Sequence, residues 1–327
     1  MNILKDRYYI FTKMKSISFF DRHRKWNNKR NIVLQKVGFY GLYNLLLDII
    51  ANIYFNCRFR LSSSRYRLNS IAKSRCKDLI ISLTSYPKRI GYVWMTIETL
   101  LRQDVLPEKI ILYLSKRQFP KQYDDLPANL LKLQNRGLEI IFVDDDLRSH
   151  KKYYYAMTEF PDKCVLTVDD DCLYPEDMIK ALWDTHLQYP QAIVGNRAKQ
   201  IFNVIPRYEH WPSVDKKKLS DDLLFVGCAG ILYPPCSLHK DAFDIDLIRK
   251  LAFSADDIWL SCMARLKGTG MASTGYEYHH LRTFIPGDTP LLDENAKGGN
   301  QQTVENLNQY YMKKIGKRPF VDLIGKK

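Results

Sequence analysis

Short apolar runs alternate with segments of helical spacing between residues 79 and 188 of this 327-residue chain. The strand-like runs are 79–84, 109–114, 138–143 and 164–168, and the helix-like segments are 93–101, 126–134, 153–160 and 175–188. Because strands separated by helices usually pair in parallel, this pattern predicts an α/β, Rossmann-like fold with a mostly parallel central sheet flanked by helices. In such sheets, ligands bind beyond the carboxyl ends of the strands.

Three consecutive acids, Asp169, Asp170 and Asp171, follow the fourth strand-like run directly. They are expected at the ligand-binding edge of the sheet, where two carboxylates one residue apart can turn toward one Mg²⁺ or Mn²⁺. Such an ion usually completes its shell with substrate phosphates and water. The alternative is an N-cap for the helix expected from Pro175, although three adjacent acids repel one another unless a cation is near.

Charge divides the chain into two regions. Residues 1–77 contain 17 Lys and Arg against three Asp, a net charge of +14, which equals the net charge of the whole chain. Residues 78–327 therefore carry no net charge. We expect a basic helical N-terminal extension over 1–77 and a catalytic domain over 78–327.

The extension contains an apolar stretch, 37–55, between basic segments at 22–30 and 58–77. Its length approaches that of a membrane span, but Asn44, Asp48 and Asn52 recur every four residues and would form a polar stripe on a helix. An Asp at the centre of a bilayer is costly. The stretch is expected to lie in the interface of an anionic membrane, with packing on the catalytic domain as the alternative and a true span disfavoured.

The N-terminus and the cysteines both indicate the cytoplasm. Residues 1–20 mix five charged side chains with the apolar ones and offer no cleavage site of small residues, so no secretory signal is expected. The seven cysteines form no Cys-x-x-Cys pair, which argues against a disulfide framework and a structural zinc site. We expect a cytoplasmic protein that associates peripherally with the inner face of the membrane.

Four segments resemble, in order, the motifs of nucleotide-sugar-dependent glycosyltransferases with the A-type fold, in the vicinity of glycosyltransferase family 2. Segment 165–175, which contains the three acids, is similar to the Asp-x-Asp motif, and 81–89 is similar to the strand and loop that meet the nucleotide. Segment 225–235 resembles the glycine-containing acceptor loop, and 254–260 resembles the acidic motif that carries the base. The resemblance covers about residues 78–310 and leaves the extension outside.

The resemblance implies roles for the acids. Asp169 and Asp171 take the two positions of the Asp-x-Asp motif as metal ligands, Asp169 also reaches the donor, and His279 is a candidate third ligand. Asp170 is grouped with the donor contacts, although its carboxylate is expected to face away from the metal. The catalytic residues would be Asp256 and Asp257, with Asp257 as the general base. The alternative for this pair is the N-cap of a helix over 258–266.

Further donor contacts are expected from polar, aromatic and cationic side chains at the same edge. The loop after the first strand supplies hydroxyls, a ring and a guanidinium that suit a nucleotide, from Thr84, Ser85, Tyr86 and Arg89. Asp144 would contact the nucleobase edge, and Lys152 would contact phosphate. A turn with solvated charges is the alternative for the loop.

On the acceptor side, Gly227 and Gly230 would let the backbone approach a sugar closely, and Trp259 would stack on a sugar ring. A β-bulge is the alternative for the glycines, and core packing is the alternative for the Trp.

The resemblance implies a metal-dependent, inverting hexosyltransferase that moves a sugar from a nucleotide-sugar donor to a glycan or lipid-linked acceptor in surface polysaccharide synthesis. A non-catalytic sugar- or nucleotide-binding protein on the same fold is one alternative. A nucleic-acid-binding protein that uses the basic extension is another, but it would not explain the ordered acidic motifs of a neutral domain.

Overall fold

The strands expected from the sequence are present in the computed structural model, which describes residues 17, 20, 39–62, 67–68, 74–202, 207–276, 281–283, 285 and 298–324. The strands are β1 (Ser74–Thr84), β2 (Val105–Ser115), β3 (Leu138–Val143), β4 (Cys164–Thr167), β5 (Ile193–Gly195), β6 (Ala198–Gln200), β7 (Ser213–Val214), β8 (Lys217–Ser220), β9 (Leu223–Phe225), β10 (Ile231–Tyr233) and β11 (Met271–Thr274). The helices are α1 (Phe39–Ser62), α2 (Val93–Leu101), α3 (Ala128–Leu131), α4 (Lys151–Glu159), α5 (Met178–Gln188), α6 (Ile245–Leu251), α7 (Asp256–Lys267) and α8 (Asn300–Ile315).

Eight strands of the described residues form one central sheet in the order β3-β2-β1-β4-β10-β5-β11-β8. The pairs among β1, β2, β3 and β4 are all parallel, and so is the pair of β5 with β11. β10 runs antiparallel between β4 and β5, and β8 runs antiparallel to β11. The prediction of an α/β fold with a mostly parallel sheet is confirmed. β6, β7 and β9 form a separate antiparallel sheet.

Alternate residues of β1 face different cores, as the pleat of a strand requires. Leu79, Ile81 and Leu83 lie in the core that also contains buried residues of α1, α2 and α5. Ile80 lies in a second core with Ala156 of α4. The sheet therefore has helices on both faces, as predicted.

The helix expected over 126–134 is shorter than predicted. α3 covers only Ala128–Leu131, and a 3-10 turn over Gln134–Arg136 ends at Gly137, whose φ of 108° is a conformation that favours glycine. Arg136 is buried, and its Nη2 lies 3.0 Å from Oε2 of Glu98 in α2. A tertiary ion pair, rather than a longer helix, therefore holds this part of the chain.

α1 packs on the body of the protein along one side. Ala51, Phe55 and Phe59 are at most 1% exposed and belong to the same core as β1 and α2. The other side carries exposed apolar side chains, with Ile50 58% and Ile53 62% exposed. Among the residues that the structure describes, no helix is both long and apolar enough to cross a membrane. Of the three expectations for stretch 37–55, packing on the catalytic domain describes the buried side of α1.

The predicted division at residue 77 falls inside β1, which begins at Ser74. The separation of a basic extension from a catalytic domain stays a prediction, with α1 packed against the domain rather than apart from it.

Candidate active site

The three acids lie just beyond β4, and their backbone is fixed by neighbouring elements. Thr96 of α2 donates a hydrogen bond to the backbone oxygen of Asp170 (2.9 Å), and the backbone N–H of Asp169 donates to the Tyr174 hydroxyl (2.9 Å). The N-cap alternative for this triplet is wrong, because α5 begins only at Met178 and its N-cap residue is Asp177.

Asp170 is not a bystander, because the loop after β1 binds its carboxylate, and its orientation relative to a metal stays a prediction. Ser85 Oγ lies 2.5 Å from its Oδ2, and Arg89 Nη1 donates to its Oδ1 at 2.9 Å. Burial raises the pKa of Asp170 to about 6, against the opposing charge of Arg89 and with a further increase from Asp171. Asp170 thus ties the loop after β1 to the end of β4.

Arg89 is paired with two acids of the triplet, Asp170 and Asp171. Its Nη1 also lies 3.2 Å from Asp171 Oδ2, and its guanidinium lies 5.6 Å from the centroid of the Tyr86 ring. The structure therefore brings together three of the four predicted loop residues with the acids. The fourth, Thr84, donates its hydroxyl hydrogen to the backbone oxygen of Tyr113 (2.8 Å), so that its side chain ties β1 to β2.

Residues 281–283 lie alongside the triplet. Arg282 forms an isolated antiparallel bridge with Cys172, and its Nε lies 3.9 Å from Asp171 Oδ2. Sequence reasoning missed Arg282, although it lies three residues after the predicted ligand His279. His279 itself lies outside the described residues, so its metal role stays a prediction.

Lys152, at the start of α4, lies between the triplet and the acids of α7. Its Nζ is 2.8 Å from Asp169 Oδ1 and 2.9 Å from Asp256 Oδ2, and the residue is buried. Burial alone would lower the pKa of Lys152, but the carboxylates of Asp169, Asp256 and Asp257 raise it well above its ordinary value. Its predicted contact with phosphate stays a prediction, since the ammonium already bridges two carboxylates.

Asp257 lies against the glycine-containing segment. The backbone N–H of Gly227 donates to Asp257 Oδ2 at 2.8 Å, and a Cβ at Gly227 would lie only 2.6 Å from Asp257 Oδ1. A side chain at position 227 would therefore displace the Asp257 carboxylate. This contact is a role for Gly227 that its predicted approach to a sugar did not include.

Asp256 and Asp257 are adjacent but differ in their environments. Burial and the neighbouring Asp256 carboxylate raise the pKa of Asp257 to about 7. For Asp256, burial acts in the same direction, but Lys152 and His150 lower its pKa below the ordinary value. The N-cap alternative is wrong for both, because α7 is preceded by Ala255 and has no side-chain cap. The pair therefore separates into an ionised acid and one poised near neutral pH.

Two predicted acceptor contacts are not supported. Trp259 is fully buried, so its ring cannot stack on a bound sugar, and core packing is the correct alternative. Gly230 has a φ of 85°, and a Cβ there would contact Met178, Leu166 and Leu182, so this position faces the core rather than a ligand. Asp144 has an 89% exposed side chain that pairs with Lys116 (2.7 Å), and its contact with a nucleobase stays a prediction.

The fit of a divalent metal rests on charge more than on ligand number. Within the described residues, no group of three or more His, Cys, Asp and Glu side chains is arranged to hold an ion. The cations of this site are Lys152, Arg89 and Arg282, and they face the carboxylates of Asp169, Asp170, Asp171, Asp256 and Asp257. Carboxylates outnumber these three cations, so the surroundings favour a bound cation. Such an ion would take most of its ligands from a phosphorylated substrate and water, as Mg²⁺ commonly does.

No protein-family model and no curated protein matches the chain. Among solved structures, it is similar to S. aureus TarS 1–349, also solved with UDP-GlcNAc, at 12% identity and a TM-score of 0.41 over 72% of each chain. A mannosyltransferase from Pyrobaculum calidifontis, PcManGT in complex with GDP-Man and Mn²⁺, is 10% identical with a TM-score of 0.40 over 86% of this chain and 79% of that chain.

A CMP:2-keto-3-deoxy-manno-octonic acid synthetase complexed with CTP is 11% identical, with a TM-score of 0.35 over 62% of this chain and 89% of that chain. At these identities and scores, an argument for function must come from the residues of the site.

Proposed function

We propose that the protein is a metal-dependent, inverting glycosyltransferase that uses a nucleotide-sugar donor. The observation that carries the proposal is the pair of unlike acids at the start of α7. Asp257, with its pKa near 7, can accept a proton at neutral pH, and Asp256 is joined through Lys152 to the triplet after β4. A base and a phosphate-handling group thus form one connected site.

The mechanism that we infer is a single displacement. Asp257 takes the proton of an acceptor hydroxyl as its oxygen attacks the anomeric carbon of the donor, and the bond from that carbon to the diphosphate oxygen breaks. Attack from the side opposite the leaving group inverts the anomeric configuration. Arg89 and Arg282 lie beside Asp171 and would stabilise the charge of the nucleoside diphosphate.

Asp169 and Asp171 would hold a bound Mn²⁺ or Mg²⁺, which neutralises charge on the diphosphate. The two carboxylates flank Asp170 in the chain, and Asp170 is already engaged by Ser85 and Arg89. All three acids have a cationic partner, and Asp170 accepts from Ser85 as well as Arg89, which favours Asp169 and Asp171 for the metal.

A thermal-shift screen tests this function. UDP-, GDP- and CMP-linked sugars are added with and without Mn²⁺ to the full chain and to Asp257→Asn. We expect metal-dependent stabilisation of both proteins by one donor class, and transfer activity in the wild type only. Stabilisation by none of the donors would contradict the proposal. Equal turnover by Asp257→Asn would contradict the role of the base.

We further propose that the acceptor is a glycan or lipid-linked acceptor of surface polysaccharide synthesis, reached at the inner face of an anionic membrane. Two observations support this. The outward side of α1 carries a stripe of exposed apolar side chains at helical spacing, from Tyr43, Leu46, Ile50, Ile53 and Tyr54. The 24-residue helix is about 36 Å long, and it lies in the basic quarter of the chain, whose net charge is +14. An apolar stripe flanked in sequence by basic segments suits the interface of anionic lipid.

A further inference from the structure

We propose that Asn52 of α1 is a positioning residue of the donor site, which holds segment 281–283 so that Arg282 faces Asp171 and the donor diphosphate. This inference rests on the proposed function. It gives α1, which lies outside the predicted catalytic domain, a role in the donor site.

Segment 281–283 pairs with the chain around the acidic triplet, and the carbonyl of Arg282 takes no part in that pairing. Arg282 is paired with Cys172, but the hydrogen bonds of this bridge come from the neighbours: Leu173 N–H donates to Leu281 O (2.9 Å), and Thr283 N–H donates to Asp171 O (2.8 Å). Arg282 and Cys172 are thus a non-hydrogen-bonded antiparallel pair. The carbonyl of Arg282 instead accepts a hydrogen bond from Asn52 Nδ2 at 2.9 Å.

Asn52 is itself held in place. Its Nδ2 also donates to the backbone oxygen of Asp48 at 2.7 Å, one turn earlier in α1. The adjacent Ala51 and the nearby Phe55 are completely buried in the main core. The amide is therefore presented to Arg282 from a packed helix rather than from a loop, which makes it suited to fix the position of a binding residue.

Arg282 has the chemistry for the diphosphate. Its side chain is 27% exposed, and its Nε lies 3.9 Å from Asp171 Oδ2, beside the proposed metal ligand. A guanidinium with several donors in one plane binds phosphate oxygens well. The bond from Asn52 fixes the backbone of Arg282 directly, so without this amide we expect its guanidinium to be held less well beside the diphosphate.

The first test compares Asn52→Leu with Asn56→Leu on the same helix. Asn56 accepts a hydrogen bond from Arg60 (2.8 Å) and serves as the matched control. We expect N52L to raise the KM for the donor by about tenfold, with the KM for the acceptor unchanged, whereas N56L leaves both near wild type. A donor KM for N52L within twofold of wild type would overturn the inference.

A double-mutant cycle with Arg282→Ala separates positioning from general stability. If Asn52 acts through Arg282, the double variant N52L/R282A binds donor no more weakly than R282A alone. If the losses of donor affinity in the two single variants multiply in the double variant, Asn52 acts independently of Arg282. Asn52→Asp has the same size and no amide donor, and it repeats the test if N52L does not fold.

Hydrogen exchange tests the role of Asn52 in the absence of a nucleotide-sugar donor. The amides of Thr283 and Leu173 should exchange at least about tenfold faster in N52L than in wild type or N56L. Unchanged protection would overturn the role of Asn52 even if the enzyme is active. Failure of the wild type to bind any nucleotide sugar would instead refute the proposed function, and the exchange data would still decide whether Asn52 holds the segment.

Discussion

Lys152 Nζ lies 2.9 Å from Asp256 Oδ2, and the same nitrogen lies 2.8 Å from Asp169 Oδ1. One buried ammonium therefore joins the acid that opens α7 to the first acid after β4. The proposed base Asp257 follows Asp256 directly. A change in charge at the donor end of the site is therefore expected to change the pKa of Asp257. Lys152 is thus the electrostatic link between the two halves of the proposed reaction.

Substitution of Lys152 by Met should destabilise the protein strongly. The variant leaves the buried Asp256 and the partly exposed Asp169 without their shared cation, and loss of one partner of a buried ion pair typically costs about 3–5 kcal/mol. Urea unfolding measures the change in the free energy of unfolding. Lys109→Met is the matched control, because Lys109 pairs with Glu139 at the surface (2.8 Å) and its loss should cost no more than about 1 kcal/mol. Equal effects of the two variants would contradict the link.

Asp257→Asn should lower kcat by about 10²–10⁴-fold, the usual contribution of a general base. Donor binding should persist, because Asp257 is assigned to the acceptor hydroxyl and not to the diphosphate. Initial rates and the donor-induced shift in melting temperature measure the two effects separately. Asp246→Asn on the exposed surface of α6 is the control. If donor binding were lost together with activity, Asp257 would belong to the donor side of the site, and its assignment to the acceptor hydroxyl would be wrong.

The pKa of Asp257, about 7 against an ordinary 3.8, predicts a rate that rises with pH. The base must be deprotonated, so kcat/KM should increase through about pH 7 and level off above it. The same raised pKa predicts that folding stability is lost as pH rises from about 4 to 7, because the folded state keeps a proton that the unfolded state has released.

Urea unfolding at pH 5 and pH 8 tests the stability effect. Asp257→Asn cannot ionise, so it should lose less stability than the wild type between these two values. The difference between the two proteins removes the contribution of Asp170, whose raised pKa of about 6 is common to both. Identical losses in the two proteins would contradict the raised pKa of Asp257.

Glutamate at Ile50 or Ile53 should release the protein from anionic vesicles. Both side chains lie on the outward side of α1, so a charge there opposes insertion without disturbing the buried side. Sedimentation with phosphatidylserine-containing vesicles measures binding. Leu187→Glu introduces the same charge at another exposed apolar position, 64% exposed in α5, and should leave binding unchanged. Binding of Ile53→Glu at the wild-type level would contradict the membrane proposal.

The local pattern of the sequence was sufficient for the first four strands but not for the order of the strands in space. The apolar run that ends in Asp169 predicts a strand with acids at its end, because local alternation and turn residues determine such elements. The insertion of β10 between β4 and β5 joins strands far apart in the chain, and nothing local indicates it. Lys152 is a similar case, since a lysine at the start of a helix has the same local pattern whether it is solvated or buried between two acids.

The burial of Trp259 is indicated by its neighbours in the sequence. Ile258, Trp259 and Leu260 are consecutive apolar residues in a helix, and three in a row cannot share one face. A helix that is apolar on several sides is a buried helix, and α7 is indeed buried around Trp259. The burial of this ring was therefore predictable from helical geometry alone.

The position of α1 also determines where this protein can be shortened. A chain that began at residue 78 would lose the first four residues of β1, whose Ser74, Arg75 and Cys76 pair with 105–107. It would also lose Ala51, Phe55 and Phe59, and would leave an apolar face of the core open to solvent. Such a fragment is expected to aggregate, and its behaviour toward membranes would report exposed core rather than native attachment. Recombinant boundaries therefore belong on the N-terminal side of α1.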